Sequence, residues 1–299
     1  GDDQVQRQTG LYAQDQIRYG NFIATLGLRH DRVDGSSQYG GPDQPVVSLE
    51  DSALTGRVGL TYVFDSGIAP YASYAESFNP LMGTDAATNT PFKPTTGKQY
   101  EVGVKYQPAG FNGFFSVALF DLTQQNVTTP FATPDDPWGE TQTGEARVRG
   151  IEIEGKAELL PGLDLIASYS YNRSEITKSN EPSQIGLPLH GTPEHLASLW
   201  VSYTFQEGSP LQGLGLGAGV RYNGGYFANV GGAYPIDAFT LFDAAVSYDF
   251  GKANPALDGL SLNVVAQNLF DRKHIVTAND WSASYGQGRT IYASMKYRW

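Results

Sequence analysis

Thr290-Ile291-Tyr292-Ala293-Ser294-Met295-Lys296-Tyr297-Arg298-Trp299 ends the chain, and its alternation decides the fold. In an extended strand, Ile291, Ala293, Met295, Tyr297 and Trp299 share one face. Thr290, Tyr292, Ser294, Lys296 and Arg298 share the other. The first set suits an oily surrounding and the second suits water. The same period of two runs back along the chain. Val246, Tyr248 and Phe250 alternate with Ser247 and Asp249. Ala197, Leu199, Val201, Tyr203 and Phe205 alternate with Ser198, Trp200, Ser202 and Thr204. Tyr100, Val102, Val104 and Tyr106 alternate with Gln99, Glu101, Gly103 and Lys105. Ile151, Ile153, Ala157 and Leu159 oppose a ladder of Glu152, Glu154, Lys156 and Glu158. That ladder is too costly to bury in a dry core, so it needs water or polar partners.

Composition agrees. Of 299 residues, 40% are hydrophobic, yet mean hydropathy is -0.32 and there are 18 Tyr, 15 Phe and 35 Gly. No run approaches the roughly 20 apolar residues that a spanning helix needs. A membrane protein of this kind has to be a closed β-barrel, whose strands look soluble on average. The net charge of -11 argues against nucleic acid and against a phosphate-selective pore. There is no cysteine, hence no disulfide framework and no thiolate metal site.

The alternation predicts about 13 strands, near 10-19, 21-33, 52-64, 68-79, 97-107, 113-126, 143-159, 163-176, 192-205, 213-225, 236-250, 259-271 and 286-299. Their connections alternate in length. Short ones lie at Gly20, 65-67, 108-112, 161-162, 206-212 and 251-258; long polar ones lie at 34-51, 80-96, 127-142, 177-191, 226-235 and 272-285. Short periplasmic turns alternating with long external loops is the outer-membrane pattern. Aromatics gather at the short-turn ends: Tyr19 and Phe22, Tyr62 and Phe64, Tyr203 and Phe205, Tyr248 and Phe250, Tyr297 and Trp299. Amphipathic rings belong at the lipid–water boundary. The expected fold is an all-β transmembrane antiparallel barrel. Because single-chain bacterial barrels have even strand numbers, an odd count implies further strands upstream.

Specific residues carry a family resemblance. Gly10-Leu11-Tyr12-Ala13-Gln14-Asp15-Gln16 and Leu26-Gly27-Leu28-Arg29-His30-Asp31 resemble strand motifs of TonB-dependent ferric-siderophore receptors. In order follow Arg57 to Tyr62, Pro70 to Phe78, Tyr100 to Lys105, Arg149 to Glu152, and Asn268-Leu269-Phe270-Asp271. The terminal strand resembles the signal read by the barrel-assembly machinery, with Trp299 where Phe is usual. The nearest branch resembles the ferrichrome-type hydroxamate receptors. The resemblance implies a 22-stranded barrel of which residues 1–299 are the C-terminal part, with a plug domain outside this chain. It implies energy-coupled import of an iron chelate, a periplasmic TonB partner reached through that plug, no resident cofactor and no covalent chemistry. Outer-membrane lipid and lipopolysaccharide are the expected surroundings.

A bulky, partly apolar chelate suits aromatic rings on the outer mouth. Trp281 and Tyr285 are favoured by position, then Tyr226, Phe227 and Tyr234, with Trp138 and Phe131 as further candidates. Each has a bland alternative in the outer girdle or in loop packing. Asp135-Asp136 are too few carboxylates to claim calcium. Of four histidines, His30 has the lipid-facing parity, His190 and His195 flank Gly191-Thr192-Pro193 at the start of a strand, and His274 follows the Asn-Leu-Phe-Asp motif; no pair has helical i,i+4 spacing, and a two-His metal site at 190 and 195 is the lesser reading. Arg147, Arg149, Glu152, Glu154 and Lys156 read as a solvated lumen wall, or else as a conduction path. Two rivals remain. A passive porin-like channel shares the alternation but not the ordered motifs. An outer-membrane hydrolase needs a nucleophile–base constellation that no motif here supplies.

Overall fold

The computed structural model describes residues 3–38, 46–131, 139–229, 234–278 and 282–299. Among them, thirteen strands form one antiparallel sheet, each hydrogen-bonded to its neighbours in chain order. They are β1 (Asp3–Tyr19), β2 (Phe22–Gln38), β3 (Val47–Tyr62), β4 (Ile68–Asn79), β5 (Thr95–Tyr106), β6 (Gly113–Pro130) and β7 (Glu140–Leu160). Then come β8 (Leu163–Lys178), β9 (His195–Thr204), β10 (Leu214–Asn223), β11 (Phe239–Asp249), β12 (Leu260–Gln267) and β13 (Thr290–Tyr297). Three two-stranded hairpins decorate the long connections, pairing 84–85 with 90–91, 226–227 with 235–236, and 275–278 with 283–285.

The register makes one apolar face out of thirteen separate alternations. Ile17 lies opposite Ala24, Ala24 opposite Leu60, Leu60 opposite Ala72, Ala72 opposite Val102, Val102 opposite Leu119, and Leu119 opposite Ile151. Further on, Ile153 meets Tyr169, Leu165 meets Val201, Val201 meets Ala218, Leu216 meets Val246, Val246 meets Val264 and Val264 meets Ala293. A slip of one residue anywhere would swap the faces of every later strand. Even in the middle of the sheet, Val102 is 51% and Leu119 49% exposed, so no described residue packs over this face there. An apolar surface this wide is a membrane-contacting surface.

Two aromatic rings bound it. At the short-turn end stand Phe22–Tyr62, Tyr62–Phe64, Tyr203–Phe205 and Tyr248–Phe250, with centroids 4.6–5.0 Å apart. At the other end of the band stand Tyr74–Tyr100 at 4.9 Å and Tyr169, Tyr171 and His195, with Tyr169 Oη and His195 Nδ1 hydrogen-bonded at 2.8 Å. Tyr106 and Tyr100 lie six positions apart, about 20 Å along the strand. The opposite face is wet and cross-bonded. Arg29 pairs with Asp31 at 2.6 Å, Tyr71 Oη donates to Glu101 at 2.6 Å beneath Lys105, and Arg221 pairs with Asp243 at 2.6 Å.

Several expectations need correcting. The strand count holds, but β1 to β3 and β6 to β8 run 16–21 residues, well past the stretches marked by apolar alternation. Above the band the outward parity turns polar too, as in Arg7 and Thr9 beside the inward Gln6 and Gln8, so the membrane pattern stops while backbone pairing continues. Strands β9 to β13 have only 8–11 residues, so the wall is low on that side. β12 ends at Gln267 and not at 271, because Asn268 turns the chain at φ 48°. The 251–258 turn holds one turn of helix, α1 (Phe250–Ala253), capped by Asp249. Finally, Arg147 and Arg149 do not join Glu152, Glu154 and Lys156 on the wet face. They share odd parity with Ile151 and Ile153 and sit on the apolar side, just above the band.

Above the band, Glu145 on β7 accepts hydrogen bonds from Lys178 at 2.8 Å, Gln125 at 2.9 Å and Thr177 at 2.9 Å. The Lys178 ammonium, then Gln125, hold its carboxyl down to about 2 against the opposing effect of burial. The folded value lies below the unfolded one of roughly 4.3, so its contribution is present above that pH and is lost as pH falls toward 2. Pepsin cleavage across the tops of β6 to β8, normalised to that of an unfolded peptide to remove pepsin's own pH dependence, is expected to accelerate between about pH 4.5 and 2. The normalised cleavage of Glu145→Gln is expected to change little over that window.

Candidate functional site

The low side of the wall is where three long connections meet. The hairpin 226–227/235–236 rises after β10 and is closed by Ala228 N–H to Tyr234 O at 2.9 Å, with Asn229 Oδ1 accepting from Tyr234 N–H at 3.2 Å. The preceding connection docks on it through Gly191 N–H to Phe227 O at 2.8 Å. The last connection docks through Tyr226 Oη, which donates to Val276 O at 2.7 Å. Burial pushes the Tyr226 phenol above its ordinary pKa, so it stays a donor.

Two adjoining recesses open between these segments. One, about 380 Å³, is lined by Leu189, Glu194, Tyr226, Phe227, Pro235 and Ile236 among others. Its neighbour, about 290 Å³, shares Pro235 and Ile236 and adds Phe239, Arg272, His274 and Tyr285. Phe239 also lines a recess of about 400 Å³ on the wet face, with Glu152, Glu154, Arg221 and Asn223. Phe239 is thus a wall common to the mouth and the wet interior.

Asn268 holds the backbone of Arg272, which lines the second recess. Asn268 is buried, and its Oδ1 accepts from Arg272 N–H at 2.8 Å. Its Nδ2 donates to Arg272 O at 2.9 Å and Gln287 O at 3.1 Å, while its own N–H donates to Asp243 at 2.9 Å. Asn tolerates the positive φ better than most residues and supplies the bonds that hold both ends of the last connection. His274 stacks on Phe239 with centroids 4.4 Å apart and presents Nδ1 to Arg272 O at 3.2 Å.

Of the aromatics named from sequence, the fold brings Tyr226, Phe227 and Tyr285 to these recesses. Tyr234 closes the hairpin beside them through its backbone. Phe131 lines neither; its N–H closes the next loop on Gly139 O at 2.7 Å. Trp138 and Trp281 lie outside the described residues, as do Asp135 and Asp136. Sequence reasoning missed Trp200, whose indole lies on the wet face against Gly217 and Gly219, where any β-carbon would collide with it. The signal was available: two glycines at i, i+2 on one strand face mark a close approach.

The sequence model described as "TonB dependent receptor-like, beta-barrel" matches residues 1–269. The chain belongs to the TonB-dependent receptor β-barrel family. The ordered motifs are thus borne out as family motifs, and the thirteen strands are wall of an outer-membrane barrel. Among its relatives is the ferrichrome outer membrane transporter/phage receptor of Escherichia coli (strain K12), 37% identical over 302 residues, covering 98% of this chain and 38% of the relative. Another is the ferrioxamine B receptor of Salmonella typhimurium (strain SL1344), 36% identical, covering 97% of this chain and 40% of the relative. The chain spans about two-fifths of the length of these relatives. The crystal structure of the siderophore receptor PiuA from Acinetobacter baumannii superposes with a TM-score of 0.82 at 21% identity, covering 99% of this chain and 44% of that one. The unliganded ferric citrate transporter FecA gives 0.80 at 21% identity, covering 99% and 45%. At that identity the likeness shows the fold alone. These family members are receptors and transporters, which removes the hydrolase reading.

Proposed function

We propose that this chain forms the C-terminal part of the barrel of an outer-membrane receptor for energy-coupled uptake of a ferric siderophore of hydroxamate type. The observation that carries the reading is the 36–37% identity, over nearly the whole chain, to receptors named for ferrichrome and ferrioxamine B. The geometry supports it: Tyr226, Phe227 and Tyr285 converge on paired recesses at the low rim, and Phe239 is a wall common to this rim and the wet interior. Iron travels as cargo wrapped in its chelator, with no protein ligand. Release inward is driven through a plug domain that engages the periplasmic TonB complex.

Tyr226→Ala, Phe227→Ala and Tyr285→Ala in the whole receptor are each expected to weaken binding of a ferric trihydroxamate about tenfold, the loss of one ring contact of about 1.4 kcal/mol. Trp281→Ala tests the remaining favoured ring. Quenching of intrinsic fluorescence by the iron chelate measures the affinity. Unchanged affinity in all four variants would remove the rim from the binding site. Preference for a catecholate over every hydroxamate tried would remove the proposed substrate class.

A further inference from the structure

The recess walled by the last connection is charged as well as aromatic. Arg272 and Lys273 both line it. They are the only two adjacent Lys or Arg residues in a chain of net charge -11. Among the described residues neither forms an ion pair. Asn268 holds the Arg272 backbone at both its N–H and its C=O, which fixes where that side chain starts. The guanidinium makes one long bond, from Nη2 to Ala238 O at 3.4 Å. The acids nearby are engaged elsewhere or stand apart. Asp243 pairs with Arg221 at 2.6 Å, and Asp271 accepts from Arg289 N–H at 2.8 Å. Asp237 shares the lining but is exposed and pairs with neither cation. Two cations against one carboxylate leave the recess net positive, with donors to spare.

The remaining lining is largely apolar, with Ile236 buried and Phe239 and Tyr285 adding rings. The adjoining recess has the opposite sign, since its one charged residue is Glu194. Pro235 and Ile236 belong to both. An elongate guest lying across the pair thus meets a carboxylate at one end and a guanidinium and an ammonium at the other. A guest with a cation at the second end faces two like charges. A guest with a carboxylate there can accept the planar donor fork of Arg272 and the point charge of Lys273. Selection of this kind works as much by rejecting the wrong sign as by holding the right one.

We propose that Arg272 and Lys273 form a carboxylate subsite, which makes the receptor selective for ferric hydroxamate chelates that carry a negative charge away from the iron. The inference rests on the uptake function proposed above and narrows it to the anionic members of that class. The carboxylate lies against Arg272 and Lys273, its linker over Ile236 and Phe239, and the iron-bearing body over Tyr226 and Phe227.

The test uses the whole receptor and ferrioxamine B in three forms that differ only at one end. The free amine is cationic, the N-acetyl derivative neutral and the N-succinyl derivative anionic. Fluorescence quenching at low salt gives the three affinities. The succinyl form is expected to bind about tenfold more tightly than the free amine, with the acetyl form between them. Arg272→Gln and Lys273→Gln are each expected to cut that ratio about threefold, and the double variant to bring it within about twofold of unity. Arg272→Lys keeps the charge and is expected to keep most of the ratio. Lys252→Gln, which removes a cation from α1 beside a short turn, is expected to leave the ratio as it is. Salt at about 1 M, where the screening length falls to about 3 Å, is expected to shrink it. Because the ratio compares guests on one protein, a variant with a partly disturbed rim still reports it, and heat-modifiable gel migration checks that the barrel is folded. Equal affinities for the three forms would overturn the proposal and leave hydroxamate uptake standing. So would tighter binding of the free amine, or a ratio that survives in the double variant. Failure of all three forms to bind would overturn the hydroxamate reading, and this selectivity with it.

Discussion

Val102→Arg is expected to cost the folded barrel about 2–4 kcal/mol, measured as the shift in urea unfolding in lipid vesicles. Val102 sits near the middle of the apolar band, between Ala72 on β4 and Leu119 on β6. Half of its surface is uncovered by protein, so the new guanidinium would face hydrocarbon. No acid lies beside it on that face, since its register partners are Ala72 and Leu119. The companion substitution Gln99→Arg puts the same charge on the wet face, where Gln99 already donates to Glu101 at 2.9 Å. There the cost is expected to stay below about 1 kcal/mol, because an exposed charge beside a carboxylate loses little. Equal losses at the two positions would mean that the faces have been assigned wrongly.

Asp85→Ala is expected to release the connection between β4 and β5 from the top of β7. Asp85 is buried, and its carboxylate accepts from Ala87 N–H at 2.9 Å, Thr88 N–H at 3.1 Å, Thr141 Oγ1 at 2.9 Å and Gln142 N–H at 2.9 Å. Ala86 N–H adds a bond to Glu140 O at 2.8 Å. Removing the acid leaves several donors without an acceptor, a loss of about 3 kcal/mol for local opening. Amide exchange across 84–92 and 140–142 is expected to quicken roughly a hundredfold. Burial raises the Asp85 pKa, but the hydrogen bonds from Gln142, Thr141, Ala87 and Thr88 outweigh it and leave the value below the usual carboxylate range. The clamp is therefore complete above about pH 4 and is lost as pH falls below that. Exchange that is unchanged by the substitution at neutral pH would show that the segment is held by other contacts.

These two residues also mark what the sequence could and could not disclose. Val102 belongs to a strand whose period of two is visible in the eight residues 99–106, so its face was readable before any coordinates. The same local rule placed Tyr62, Phe64, Tyr203 and Phe205 at the short-turn ends, where the structure pairs them. Asp85 joins residues 56 and 57 positions away, and no local pattern announces such a bond. Strand height above the membrane was hidden for a related reason: pairing persists where the apolar signal has ended. Arg147 and Arg149 are a different failure. Their parity with Ile151 was available, but their charge suggested water inside the barrel, whereas polar water-facing surface also exists outside it, above the lipid. At the rim, the sequence marked which loops hold aromatic rings. Which rings converge depends on loop docking through Tyr226 and Gly191, and that is tertiary information.

The alternation of brief turns below with broad connections above has a consequence for how such a wall changes over generations. Adding or deleting a single strand would deliver every later binding loop to the periplasm and every later turn to the outside. Adding two restores the sides. Growth of the wall is thus counted in whole up-and-down pairs, while the broad connections between them are free to change in length and chemistry. A change in loop chemistry is accordingly the easy step, and a change in barrel girth the rare one.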